Sequence, residues 1–162
     1  MSAADAFRLS PLHTDDTAAL AALHRQVMGE ADGWSDAGLR RLLTATAARG
    51  FQATADGALA GYILAFAAAD EAEILALVVS PGHRRMGLAR RLLRALARQL
   101  ADSQIVRLHL EVRASNLAAR ELYSRNSFAE TGRRKGYYAG AATLPPEDAV
   151  TMTLDLRSLT DR

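Results

Sequence analysis

Residues 75–90 read Leu75-Ala76-Leu77-Val78-Val79-Ser80-Pro81-Gly82-His83-Arg84-Arg85-Met86-Gly87-Leu88-Ala89-Arg90. The apolar start predicts a buried strand, which a tight loop connects to the first turn of a long helix. Helix N-termini expose unpaired N–H groups and the positive end of the helix dipole, so they bind anions. Gly87 allows the backbone to approach a phosphate group closely, and Ala89 keeps a nearby position small. The stretch therefore predicts a phosphate-binding turn.

Arginines crowd the start of this helix: Arg84, Arg85, Arg90 and Arg91. Positive charge is unfavourable at a helix N-terminus, so a bound anion such as a pyrophosphate would offset the repulsion. The alternative is a solvated arginine face, because 20 residues of the chain are lysine or arginine and Lys135 is its only lysine. The arginines by themselves do not decide between these two readings.

The pattern around this stretch predicts a mixed α/β fold. Leu88, Leu92, Leu96 and Leu100 form the apolar stripe of a helix over 87–100. Asp56-Gly57 predicts a hairpin turn, and Ser35 is a plausible N-cap for a helix that Gly50 ends. The remaining apolar periodicity predicts helices at 14–28 and 116–125, and strands at 7–9, 51–54, 59–66, 73–79, 105–112, 128–132 and 150–156. This order of elements predicts a mixed sheet flanked by helices.

Composition limits the possible classes of protein. A chain of 162 residues with 49% hydrophobic and 23% charged residues suits one compact domain, residues 1–162. It has no apolar run of about 18 residues and no signal-like start, so we expect a cytoplasmic protein that does not bind membranes. Cysteine is absent, which excludes disulfides and thiolate sites, and the four scattered histidines do not predict a metal site. Aromatic residues are few and the net charge is only +2, which argues against direct nucleic-acid binding.

A second informative stretch reads Leu108-His109-Leu110-Glu111-Val112-Arg113-Ala114-Ser115-Asn116 and continues to Tyr123. Strand alternation places Glu111 opposite the apolar face, and a glutamate on a central strand must either be paired or face a cleft. It is thus a candidate catalytic group or the partner of Arg113 or another arginine. Asn116 and Tyr123 are two helical turns apart and project from one face, which lines a groove or faces solvent.

These motifs resemble the GNAT superfamily of acyl-CoA N-acyltransferases. The coenzyme loop of that family reads Q/R-x-x-G-x-G/A, which Arg84, Gly87 and Ala89 match. The run from Leu110 to Asn116, followed by Ala119 and Leu122-Tyr123, is similar to the signature of the ribosomal-protein alanine N-acetyltransferase branch. Trp34-Ser35, the tyrosine-bearing segment 133–138 and Glu147-Asp148-Ala149 extend the likeness over most of the chain.

The resemblance implies a fold with a central mixed, mostly antiparallel sheet of about six to seven strands flanked by four helices. It also implies the acetyl-CoA co-substrate and a role for each candidate residue. Glu111 corresponds to the general base and Tyr123 to the general acid, while the Val79 N–H polarises the thioester carbonyl. Trp34, Tyr137 and Tyr138 would lie on the substrate side, although Trp34 could instead staple a helix and the tyrosines could close the sheet edge. The implied coenzyme-binding residues are Leu77, Val78, Val79, Arg84, Arg85, Met86, Gly87, Leu88, Ala89, Arg90 and Asn116.

The same resemblance implies the acceptor, the free α-amino group of a protein N-terminus, expected to be alanine on a small-subunit ribosomal protein. A small amine or a lysine side chain is the alternative acceptor, and an acetyl-CoA sensor is the non-enzymatic alternative. We expect a monomer or a weak dimer. The chain departs from the family at Asn126-Ser127-Phe128, where a glycine usually precedes the phenylalanine. A serine in a left-handed helix-ending conformation costs about 1 kcal/mol.

Overall fold

The computed structural model describes residues 6–30, 34–140 and 144–160, which form one seven-stranded sheet with helices on both faces. The helices of eight residues or more in this part of the chain number four, and a one-turn helix follows the last strand. The strands are β1 (Arg8–Pro11), β2 (Ala48–Ala55), β3 (Ala58–Ala68), β4 (Glu71–Val79), β5 (Arg107–Arg113), β6 (Ala129–Tyr138) and β7 (Glu147–Asp155). The helices are α1 (Thr17–Met28), α2 (Asp36–Thr44), α3 (Leu88–Asp102), α4 (Leu117–Ser124) and α5 (Arg157–Thr160).

The sheet has the order β1-β2-β3-β4-β5-β7-β6, and its only parallel pair among the described strands is β4 with β5. All other neighbours are antiparallel, which confirms the predicted mixed, mostly antiparallel sheet flanked by four helices. None of the helices in the described ranges is long and apolar enough to cross a membrane.

Each face of the sheet carries its own hydrophobic core. The predicted leucine stripe of α3 packs against one face, where Leu88, Leu92, Leu96 and Leu100 are at most 1% exposed. The other face packs against α1 and α2, and the buried side chains of that core are Leu20, Ala21, Leu23, Leu39, Tyr62, Leu64, Ala76 and Val78. Helices α1 and α2 thus cover their face of the sheet at β3 and β4, whereas β6 is exposed along most of its length.

Local signals in the sequence predicted several turns correctly. The Ser35 hydroxyl accepts the Gly38 N–H and caps α2, as expected. Asp56 and Gly57 have φ values of 49° and 79°, the positive pair that a tight hairpin turn requires. Ser127 has a φ of 70°, so the residue that replaces the family glycine does adopt the left-handed conformation.

Two predicted boundaries were wrong. Helix α2 ends at Thr44, and Gly50 lies inside β2 instead of ending the helix. A Cβ at position 50 would lie 2.2 Å from the Ile63 carbonyl oxygen, so glycine is required there by the close approach of strand β3. Strand β6 runs to Tyr138 and not only to the predicted end at Gly132, so Tyr137 and Tyr138 belong to this edge strand.

Candidate active site

The cleft forms where the central pair of strands separates. Parallel pairing joins Glu71–Ile74 of β4 to Arg107–Leu110 of β5 and does not continue beyond these residues. The β3–β4 register also shifts here, because Leu64 pairs with Ala76 whereas Ala65 pairs with Ile74. We call residues 75–79 the β4 arm and residues 111–113 the β5 arm. Between the arms lies a cleft of about 350 Å³.

Residues from both faces of the sheet line this cleft: His24, Met28, Trp34, Ile74, Leu75, Ala76, Leu77, Val78, Leu110, Glu111, Val112, Arg113, Asn116, Ala119, Tyr123 and Tyr138. Seven of the sequence-predicted site residues are among them. These are Leu77 and Val78 from the coenzyme set, Glu111, Asn116 and Tyr123, and the substrate-side residues Trp34 and Tyr138. Val79, residues 84–90 and Tyr137 lie outside the lining.

The loop that follows β4 adopts a conformation suited to an anion. Arg85 has a φ of 62° and Gly87 a φ of 79°, and α3 begins directly after Gly87 without a side-chain cap. A Cβ at Gly87 would meet no atom within 4 Å, so no other part of the described chain packs against this glycine. The Leu88 side chain is buried in the core, so only its backbone can contact a ligand.

The arginines around this loop fall into two groups. The structure shows no ion pair for Arg84, Arg85 or Arg90 in the part of the chain it describes, and all three are exposed or nearly so. Arg91 instead donates from Nη2 to the Phe7 carbonyl oxygen at 3.1 Å, and its guanidinium lies over the Phe7 ring. Arg91 therefore joins the N-terminal segment to α3, and three arginines remain available for an anion.

Glu111 lies on the β5 arm with its side chain 21% exposed. Its Oε1 accepts a hydrogen bond from Arg134 Nη1 at 2.9 Å, so the ion-pair reading of this residue is correct in kind. The partner is Arg134 on β6, whereas Arg113 pairs with Glu147 at 3.6 Å and lies over the Tyr138 ring. No motif in the sequence identifies Arg134 as a functional residue. Glu111 therefore forms an ion pair with Arg134 and also faces the cleft.

Helix α4 presents its candidate residues on one face. The Asn116 Oδ1 accepts the Ala119 N–H at 3.1 Å and caps the helix, which leaves the amide NH₂ group for other contacts. Tyr123 is 7% exposed and its ring packs against Phe128. Burial, followed by the nearby Tyr138, raises the pKa of Tyr123 to about 12. The hydroxyl is therefore protonated at neutral pH.

His24 also lines the cleft, and the sequence analysis did not identify it. It is 4% exposed, its Nδ1 is 2.5 Å from the Tyr62 hydroxyl, and its ring stacks on Trp34 with centroids 4.7 Å apart. This contact holds Trp34 at the wall of the cleft. Trp34 can therefore face the substrate and also pack against a helix. His24 shares the buried face of α1 with Leu20 and Leu23, and this apolar periodicity is the sequence pattern that could have predicted its burial.

Comparison with known proteins agrees with this geometry. Residues 17–128 match the model of the Acetyltransferase (GNAT) family. The [ribosomal protein bS18]-alanine N-acetyltransferase of Escherichia coli K12 is 39% identical over 106 residues, which are 65% of this chain and 70% of the relative. The N-alpha-acetyltransferase RimI of Mycobacterium tuberculosis is 33% identical over 144 residues, 86% of this chain and 87% of that protein.

The fold comparison gives the same result. The crystal structure of the ribosomal-protein-S18-alanine N-acetyltransferase from Escherichia coli superimposes with a TM-score of 0.84 and 32% sequence identity, over 93% of this chain and 94% of that one. The match to the family model spans both the loop before α3 and the strand–helix unit that carries Glu111 and Tyr123. The chain belongs to the GNAT acetyltransferase family.

Proposed function

We propose that this protein transfers the acetyl group of acetyl-CoA to the N-terminal α-amino group of a protein, with an alanine of a small-subunit ribosomal protein as the expected acceptor. One observation carries the chemical part of the proposal. A carboxylate, Glu111, and a protonated phenol, Tyr123, meet in one cleft that is bordered by the separated edge of β4. The relatives named as bS18-alanine N-acetyltransferases support the choice of acceptor.

The residues on both sides of the cleft fit acetyl-CoA, which would supply the thioester. The open turn at Gly87 and the uncapped start of α3 suit a pyrophosphate, because unpaired N–H groups and the helix dipole attract anions. Arg84, Arg85 and Arg90 would add positive charge, and Met86 and Ala89 belong to the same turn. The β4 arm would lie along the pantetheine, with Leu77, Val78 and Val79 presenting peptide groups. The free amide of Asn116 would contact the same arm.

Glu111 would act as the general base. An ammonium ion has no lone pair for attack, so the acceptor must first lose a proton, either directly to the carboxylate or through a water molecule. As the amine nitrogen bonds to the carbonyl carbon, the Val79 N–H would stabilise the negative charge on the carbonyl oxygen.

Tyr123 would serve the leaving sulfur. As the carbon–sulfur bond breaks, the hydroxyl would donate a hydrogen bond to the departing thiolate, and the second proton lost by the nitrogen would protonate that thiolate, so that the N-acetyl product and coenzyme A leave. A thiol ordinarily has a pKa of about 8.5, well below that of Tyr123, so full proton transfer is uphill in the ligand-free cleft. Hydrogen bonding to the developing thiolate is therefore the main contribution we assign to Tyr123.

The acceptor would enter between Trp34 and Tyr138, which both line the cleft. Tyr137 stands further out, 47% exposed, and packs edge-on against Tyr138. These aromatic rings would hold the first residues of an extended peptide. A small amine would use less of this surface.

Mass spectrometry of short peptides incubated with the protein and acetyl-CoA tests the proposal. The panel contains peptides with a free N-terminal alanine, serine, methionine or glycine, one N-blocked peptide with a lysine, and spermidine. We expect the mass of one acetyl group on the alanine peptide, and none of it with Glu111→Gln. Acetylation of only the lysine peptide or spermidine would refute the N-terminal acceptor but retain the chemistry. Tight acetyl-CoA binding without any transfer would indicate a sensor.

A further inference from the structure

We propose that Arg134 is a positioning residue for Glu111: it holds one carboxylate oxygen, Oε1, so that the other, Oε2, is available for the proton of the acceptor amine. The proposal rests on the proposed function, in which Glu111 is the general base. Neither the motifs in the sequence nor the names of the relatives point to Arg134.

Glu111 needs such a partner because of its place in the sheet. Pairing between β4 and β5 ends at Ile74 and Leu110, so β5 has a neighbouring strand on only one side at Glu111. On that side Glu111 faces Thr151 of β7. The carboxylate thus stands beside the cleft, at a point where β5 has no hydrogen-bonded β4 neighbour. An unrestrained base would spend part of its time away from the reacting nitrogen.

Strand register brings Arg134 to the same face. Thr151 pairs with Glu111 on one side and with Gly132 on the other, and Ala149 pairs with Arg134. Glu111, Gly132 and Arg134 therefore share one face of the sheet. Gly132 and Ala149 leave little side-chain volume between the two ionic groups, so the arginine reaches the carboxylate across β7 at 2.9 Å.

The arginine itself is held in place. Its guanidinium lies 4.0 Å from the centroid of the Tyr137 ring, a cation–π contact. The β6–β7 register shifts between Arg134 and Tyr138, which places Tyr137 within a bulge. Asp148 closes this bulge, because its Oδ1 accepts the Gly136 N–H at 3.0 Å and its Oδ2 pairs with Arg133. The bulge, the ring and the carboxylate together restrict the guanidinium.

The contact leaves the cleft side of the carboxylate accessible. Arg134 is not among the residues that line the cleft, and Oε2 accepts no hydrogen bond from any residue that the structure describes. The guanidinium therefore holds Glu111 from outside the cleft. To block the acceptor, Arg134 would have to occupy the cleft, and it does not line the cleft.

Steady-state kinetics of Arg134→Gln with the alanine peptide tests the proposal. Lys135→Gln is the matched control, since it removes the same charge from the same bulge without touching Glu111. We expect kcat to fall about tenfold in Arg134→Gln, with the KM for acetyl-CoA unchanged, because loss of precise positioning lowers the rate without removing binding groups. Lys135→Gln should keep the kcat of the unmodified protein.

Chemical rescue separates positioning from a merely structural role. Ethylguanidinium added to Arg134→Ala should raise kcat saturably, and it should not raise the kcat of Lys135→Ala or Glu111→Gln. Arg134→Lys should recover only part of the rate, because an ammonium lacks the planar fork that binds a carboxylate and stacks on an aromatic ring.

Several results would overturn the proposal. If Arg134→Gln lowers the KM for the peptide and ethylguanidinium inhibits competitively, the arginine competes with the acceptor. An unchanged kcat in Arg134→Gln, with the unmodified protein active, would refute the positioning role alone. A protein without any transferase activity would instead refute the proposed function on which the role rests.

Discussion

The β4 arm and the β5 arm border the same cleft but present different kinds of groups. The β4 arm carries only apolar side chains, of which Ala76 and Val78 are buried, so its free edge offers peptide groups. The β5 arm carries Glu111 and Arg113, both in ion pairs with residues of the β6–β7 segment. One arm is suited to hold an extended ligand through its backbone, and the other to perform chemistry through individual side chains.

This difference makes the two arms sensitive to different changes. Backbone recognition tolerates exchange of one apolar side chain for another, provided that the strand keeps its path. Chemistry by a carboxylate does not tolerate loss of that carboxylate. Substitutions in the β5 arm should therefore change kcat, and substitutions that displace the β4 arm should change coenzyme affinity.

The largest effect is expected for Glu111→Gln. Without a general base, kcat should fall about 10² to 10⁴-fold, since this is the usual contribution of acid–base catalysis. The Kd for acetyl-CoA, measured by isothermal titration calorimetry, should stay the same, because the β4 arm and the α3 turn are intact. A kcat that remains near that of the unmodified protein would remove Glu111 from the base role and weaken the contrast between the arms.

Tyr123→Phe should lower kcat by about 10²-fold, because it removes one hydrogen-bond donor to the negative charge that develops on the leaving sulfur. It should also change how stability responds to alkali. Burial raises the Tyr123 pKa from 10.0 to about 12, so the folded protein keeps this proton over a range in which the unfolded chain releases it. The free energy of unfolding should therefore fall between pH 10 and 12, by roughly 1.4 kcal/mol per pH unit for this group.

Urea denaturation across this pH range checks the second effect. Tyr62 has a pKa raised in the same direction by burial, so both proteins should lose stability as the pH rises. The loss should be smaller for Tyr123→Phe. Equal slopes for the two proteins would contradict the burial that we assign to the Tyr123 hydroxyl.

Gly61→Ala should displace the β4 arm. A Cβ at position 61 of β3 would lie 2.7 Å from the Val78 carbonyl oxygen and 3.4 Å from the Val79 Cα. We expect a loss of about 1–3 kcal/mol in unfolding free energy, as for other overpacked sites, together with weaker acetyl-CoA binding. Gly132→Ala is the control, because its new Cβ would meet no atom closer than 3.8 Å. Lower stability with unchanged coenzyme affinity would show that this arm does not contact the coenzyme.

The smallest effect is expected for Ser127→Gly, which lies outside both arms. A left-handed serine costs about 1 kcal/mol, and part of the gain is offset by the greater unfolded-state entropy of glycine. We therefore expect about 0.5–1 kcal/mol more stability by thermal denaturation, with kcat unchanged. Asn126→Gly serves as the control and should be destabilising, because Asn126 donates to the Leu122 carbonyl oxygen at 2.7 Å. A change in the kcat of Ser127→Gly would show that the conformation at the end of α4 affects the position of Tyr123.

Local sequence patterns predicted most of the fold. The leucine stripe of α3, the Ser35 cap and the Asp56-Gly57 turn each depend on residues within one or two turns of the chain, and all three were found. The end of α2 was predicted wrongly because Gly50 looked like a helix stop. The strand partner that requires this glycine, Ile63 of β3, lies beyond the reach of a local pattern.

For the site, the sequence by itself determined the motifs: the turn at Gly87 and the positions of Glu111 and Tyr123. These depend on spacing along one strand and one helix. The tertiary structure alone decided the partners, since Arg134 is 23 residues from Glu111 and Tyr62 is 38 residues from His24. Such pairs depend on strand register and on helix packing against the sheet, and a one-residue change in register would separate them. The sequence therefore determined which groups are present, and the fold decided which of them meet.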